Sequence, residues 1–93
     1  MREYELTVVY LSEEAEYAKG KQLFAEQVKK AGAEIIKEDD LGVKRLAYLI
    51  NKQDQGHYIY YELKLDPSKV VDLEKSFQLS DEILKFLFVK KEQ

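Results

Sequence analysis

The sequence predicts an α+β fold whose elements follow one another as β-α-β-β-α-β. Three observations predict it. Tyr4, Leu6, Val8 and Tyr10 alternate with Glu3, Glu5 and Thr7, and Ile59, Tyr61, Leu63 and Leu65 alternate with Tyr58, Tyr60, Glu62 and Lys64; a period of two marks a strand with one buried face. Tyr17, Phe24, Val28 and Ala31, and later Val70, Leu73 and Phe77, recur at helical spacing. Gly32 and Asp66-Pro67 punctuate the chain where such helices end and begin. With the right-handed crossover that each β-α-β unit requires, four antiparallel strands share one sheet with two helices on one face, the ferredoxin-like arrangement. Strands one and three are then central, and the other face of the sheet is open.

Each element has its own signal. The first strand runs from Arg2 to Leu11. Ser12 is the expected cap of the first helix, with Glu13 and Glu14 at its positive end. That helix extends from Glu13 to Ala31, closed by Lys29, Lys30 and Gly32. The second strand begins at Ala33–Lys37, bends or bulges through Glu38, Asp39, Asp40 and Gly42, and resumes from Val43 to Ile50. Asn51 to Gly56 reads as a turn with Gly56 at a position needing positive φ, and His57 to Leu65 as the third strand. Asp66 caps and Pro67 opens the second helix, which ends near Leu79. After the loop Ser80-Asp81-Glu82 the fourth strand runs from Leu84 to Lys91, with Phe86 and Phe88 on one face and Leu87 and Val89 on the other.

Size and composition bound the function. The 93 residues fit one domain, 1–93, and no internal linker or repeat divides them. With no cysteine there is no disulfide framework, thiolate chemistry or zinc finger. No apolar run approaches the roughly 18–20 residues of a membrane span, and the N-terminus enters a strand with no secretory leader, so a cytoplasmic protein with no membrane partner is expected. Fifteen Lys and Arg oppose 18 Asp and Glu, a net charge of -3. A protein that grips nucleic acid unaided is usually basic, so an RNA-binding role here calls for a more basic partner or a local cationic cluster.

No catalytic constellation emerges, and no enzyme, cofactor or metal site is expected. The single histidine, His57, reads as a solvent-exposed structural residue, because a catalytic His needs an oriented partner. Serines 12, 68, 76 and 80 show no nucleophile elbow. Glu38-Asp39-Asp40 lacks the calcium-loop pattern and reads as a solvated acidic bend. The four glycines are dispersed and make no phosphate cradle.

Leu41 to Tyr61 stands apart as extended, locally basic and rich in tyrosine. The RNA-recognition-motif signature is not met at Gln55-Gly56-His57-Tyr58-Ile59-Tyr60. Tyr61 reads as core. Tyr58 and Tyr60 fall on the open face, where a partner protein, plain solvent exposure or base stacking are the alternatives. Arg2, Lys44, Arg45, Lys52, Lys90 and Lys91 are either an ordinary solvated periphery or a dispersed set of phosphate contacts.

Gly42-Val43-Lys44-Arg45-Leu46-Ala47-Tyr48-Leu49-Ile50-Asn51 resembles the signature of bacterial small-subunit ribosomal protein six: Gly, any, basic, polar or charged, Leu, Ala or Ser, Tyr, any, Ile, then a small or polar residue. The likeness extends to Arg2-Glu3-Tyr4-Glu5, Gly32-Ala33, Lys52, Gly56-His57-Tyr58 and Phe88-Val89-Lys90, essentially the whole chain. Leu49 departs from it, standing where many relatives carry Pro. The resemblance implies the ferredoxin-like fold and a non-enzymatic role in the small ribosomal subunit. It implies binding to the central domain of small-subunit ribosomal RNA with a basic partner, small-subunit ribosomal protein eighteen. By the family pattern, Arg2, Arg45, Lys90, Lys44 and Lys52 are the expected RNA contacts. Leu46 and Tyr48, with Tyr58 and Tyr60 of the open face, are the expected protein contacts. The alternative reading is a ligand-sensing or self-associating ferredoxin-like domain.

Overall fold

The structure, a computed structural model, describes residues 1–91. Its order is β1 (Arg2–Tyr10), α1 (Glu14–Lys30), β2 (Glu34–Ile50), β3 (Gln53–Leu65), a 3-10 turn (Pro67–Lys69) leading into α2 (Val70–Gln78), and β4 (Ile83–Lys90). The strands form one antiparallel sheet in the order β2-β3-β1-β4, with β1 and β3 central as the topology requires.

Alternation along the central strands builds the core. Tyr4, Leu6, Val8 and Tyr10 of β1 and Ile59, Tyr61, Leu63 and Leu65 of β3 are buried under Phe24 and Val28 of α1 and Leu73 and Phe77 of α2. Burying each large apolar side chain contributes about 1.5–3 kcal/mol. Phe77 stacks on Phe24 and meets Phe86 and Phe88 of β4. Both helices therefore cover the same face of the sheet.

Local chemistry sets the element ends. The C-terminus of α1 closes as a Schellman motif: Ala33 N–H reaches Val28 O at 3.0 Å and Gly32 N–H reaches Lys29 O at 3.1 Å. Asp66 caps the 3-10 turn by accepting from Ser68 N–H at 3.0 Å, and these two bonds from Ser68, through N–H and Oγ–H, hold its carboxyl below the usual range. Ser12 is not the cap of α1. Glu13 occupies that position and makes no side-chain capping bond. The fourth strand starts one residue early, at Ile83, which is buried, and stops at Lys90.

The larger departure is the β2–β3 connection. The turn is only Asn51-Lys52, with φ of 49° and 65°, and Ile50 pairs directly with Gln53. Two successive positive φ values match the twist of a tight hairpin. Gly56 is therefore not in the turn. It lies buried within β3, and a Cβ there would sit 2.3 Å from Val9 Cγ1. Its role is close packing between central strands rather than positive φ.

β2 runs unbroken past the expected bend, carrying an extra residue between Ile35 and Lys37 and again between Asp40 and Gly42, where φ of Gly42 is 83°, and its register shifts a third time between Arg45 and Ile50, just before the hairpin turn. The first two are β-bulges.

Candidate RNA and protein interface

β1 and β3 alternate, so the side chains opposite the core define the open face. Thr7 and Val9 of β1, Tyr58 of β3, and Lys85, Phe86 and Leu87 of β4 border a shallow depression of about 210 Å³ there. Val9 is only 3% exposed, with the backbone of Gly56 close beside its Cγ1, whereas Leu87 and Val89 are 59% and 45% exposed. Two lysines ride over tyrosines at this end of the face. Lys44 Nζ is 5.9 Å from the Tyr58 ring centre, and Lys85 Nζ is 5.9 Å from that of Tyr48. Each is a cation–π contact at the outer limit of its range. Tyr48 is 64% exposed.

The other end of the open face is acidic. Tyr60 Oη lies 2.9 Å from a carboxylate oxygen of Glu5 and 2.9 Å from one of Glu62. One phenol hydrogen serves two carboxylates, and burial followed by these bonds pushes the Tyr60 phenol above its ordinary range. Lys91 Nζ donates to Glu62 at 3.1 Å, which holds the Glu62 carboxyl down and the Lys91 ammonium up. The face thus divides into an apolar, lysine-bearing half around Tyr48 and Tyr58 and an acidic half around Tyr60.

The five candidate RNA residues are all exposed, and they fall into two groups. Arg2 begins β1 opposite Leu65, and Lys90 ends β4 opposite Tyr4. Lys44 and Arg45 sit on β2 opposite Gly56 and Gln55, and Lys52 is in the hairpin turn. Antiparallel pairing puts the first two at one end of the sheet and the last three beyond the other. At about 3.4 Å per residue, nine-residue β1 separates the groups by roughly 27 Å. Of the candidate protein contacts, Leu46 is half-buried against Gly56, Tyr58 borders the depression, Tyr48 meets Lys85 of its rim, and Tyr60 lies in the acidic half.

Two features escaped the sequence. Lys85 lacks a motif, although the parity of Leu87 and Val89 already places it on the open face. His57 is not solvent-exposed: its side chain is 16% exposed and its ring stacks on Tyr17 of α1, 4.0 Å between centres and 5° apart. Its Nε2 lies 2.6 Å from Asp40 Oδ1, which also accepts Gly42 N–H at 2.8 Å. These bonds, His57 foremost, hold the Asp40 carboxyl below its usual range. The carboxylates considered for a metal have separate partners: Glu38 pairs with Lys21, Asp39 with Lys37 at 3.4 Å, and Asp40 with His57. Among the described residues no helix is long and apolar enough to cross a membrane.

The sequence pattern of the family described as Ribosomal protein S6 matches residues 3–90. The small ribosomal subunit protein bS6 of Treponema denticola is 36% identical over 92 residues, which cover 99% of each chain. That of Synechococcus elongatus is 47% identical over 62 residues, 67% of this chain and 58% of that one. The crystal structure of 30S ribosomal protein S6 from Thermotoga maritima superposes with a TM-score of 0.85 over 97% of this chain and 87% of that one; at 20% identity it speaks to the fold alone. With the family pattern spanning nearly the whole sequence and a full-length relative above one third identity, the chain belongs to the ribosomal protein S6 family.

Proposed function

We propose that this chain binds the central domain of small-subunit ribosomal RNA jointly with small-subunit ribosomal protein eighteen. Through its family it is a component of the small subunit of the cytoplasmic ribosome, with ribosomal RNA as a partner, and it is not an enzyme. The observation that carries the finer reading is the charge distribution. Net charge is -3, and the basic candidates stand at opposite ends of the sheet. Neither group alone offers the six to ten phosphate contacts of a tight nucleic-acid binder. A more basic neighbour supplies what is missing. Arg2, Lys90, Lys44, Arg45 and Lys52 meet RNA; Leu46, Tyr48, Tyr58 and Tyr60 face the protein partner. The open face suits this division, since its exposed Tyr48, Leu87 and Val89 are apolar surface for a partner to cover and its Glu5 and Glu62 attract a cationic one.

Chemical footprinting of central-domain RNA tests the reading. With both proteins present, protection at the junction they share is expected, and Arg2→Gln and Arg45→Gln should weaken it at separate places. Equal protection by this chain alone would overturn the joint mode.

A further inference from the structure

We infer that Asp40 and His57 are positioning residues, a latch that holds the β2 bulge and thereby sets which way Lys44 and Arg45 leave the sheet. The inference rests on the reading above, in which those two side chains meet RNA.

The register shows what the bulge does. Asp40 pairs with Ile59, but Gly42 pairs with Tyr58, so β2 carries one residue more than β3 at this point. Beyond it Lys44 lies opposite Gly56, with its ammonium over Tyr58 on the open face, and Arg45 opposite Gln55 points to the other side. Side chains alternate with a period of two, so a slip of one residue exchanges the faces of every residue beyond the slip. Were the bulge to flatten, Lys44 would turn from the open face and Arg45 would turn onto it. The direction of two cations only one residue apart is thus encoded at Asp40–Gly42.

One oxygen holds that point. Asp40 Oδ1 accepts the bulge amide of Gly42 at 2.8 Å and meets His57 Nε2 at 2.6 Å. A carboxylate oxygen has no hydrogen to give, so Nε2 carries the hydrogen and donates. His57 is fixed from two further sides. It pairs with Tyr10 across β1, and its ring lies flat on Tyr17, which in turn meets Tyr10 edge-on at 5.6 Å. The bulge is therefore tied to the first turns of α1 and to the buried end of β1, neither of which a slip of β2 would move. The φ of 83° at Gly42 leaves the bulge backbone in a conformation that glycine alone adopts readily.

Three variants test the latch. Asp40→Ala removes the acceptor, Asp40→Asn keeps an oxygen for both donors, and His57→Phe keeps the stack on Tyr17 without the donor. Amide exchange is measured on each, with binding to central-domain RNA in the presence of the basic partner. Asp40→Ala and His57→Phe should speed exchange at Gly42 and neighbouring β2 amides while leaving Ile59 and Leu63 protected, and should weaken binding about three- to tenfold. Asp40→Asn should stay within about twofold of wild type. Unchanged β2 exchange in Asp40→Ala and His57→Phe would overturn the latch, as would an Asp40→Asn variant that loses as much as Asp40→Ala. If the unaltered chain gives no partner-assisted binding, the RNA reading fails, and the exchange pattern alone still decides whether the latch holds the bulge.

Discussion

The hydroxyls of Tyr10 and Tyr61 lie 2.8 Å apart inside the core, and both side chains are fully buried. Each is the other's partner, and burial pushes both phenols well above the ordinary tyrosine range. Tyr10→Phe leaves the Tyr61 hydroxyl without its partner, so it should cost about 1–3 kcal/mol, or a melting shift of about 4–20 °C for a domain of this size. The double variant Tyr10→Phe/Tyr61→Phe removes both polar groups and should be more stable than the sum of the two single changes allows. A double-mutant cycle by urea unfolding reads the coupling directly, and strict additivity would contradict the pairing.

Gly56→Ala should be among the most damaging single-methyl additions in the sheet. The new Cβ meets Val9 Cγ1 at 2.3 Å, and Val9 is a stiff, buried, β-branched side chain with little freedom to turn aside. A loss of about 1–3 kcal/mol is expected, largely recovered in Gly56→Ala/Val9→Ala. A second change that adds to the damage would place the strain elsewhere.

Lys52 holds a left-handed backbone at φ 65°, which a non-glycine residue adopts at a cost of about 1–2 kcal/mol. Lys52→Gly should therefore raise the urea midpoint. If Lys52 is an RNA contact, the same variant should bind more weakly and lower the salt slope by about one. Stability and binding then move in opposite directions; a variant that loses both would refute the strain.

Acid should unfold the protein in part through Glu62 and Asp40. Lys91 foremost, then Tyr60, holds Glu62 low, and His57 foremost, then Gly42, holds Asp40 low. A folded value below the unfolded one gives stability that is present above about pH 4 and lost as pH falls through the folded value. Glu62→Gln should be less stable at pH 7, and its stability should fall less steeply below pH 4. Lys91 carries the opposite sign: its stabilisation is present below about pH 10 and lost as pH rises further. Urea midpoints from pH 2 to 11 check both limbs, and an unchanged acid limb in Glu62→Gln would count against the ion pair.

Period and punctuation made the architecture legible. The two central strands, Gly32 closing α1 and Asp66-Pro67 opening the second helical segment are local signals that the tertiary structure keeps. The misplaced turn shows where local reading ends. Gly56 looked like a turn residue because glycine favours positive φ, but its place depends on Val9, 47 positions earlier (56 − 9), and no local pattern carries that contact. Lys52 in turn gave no sign of a left-handed backbone. His57 was misread for the same reason, since its burial comes from Tyr17 on a helix 40 positions away (57 − 17). The candidate interface was legible as a stretch, but its division into two ends of the sheet required the register.

Joint binding is tested most directly by titrating central-domain RNA with this chain at about 0.15 M salt, alone and with equimolar small-subunit ribosomal protein eighteen, a salt level at which weak phosphate contacts no longer hold a complex by themselves. The expected result is little binding alone and a gain of at least about 100-fold with the partner, equivalent to about 2.7 kcal/mol of coupling. Equal affinity in the two titrations would contradict it.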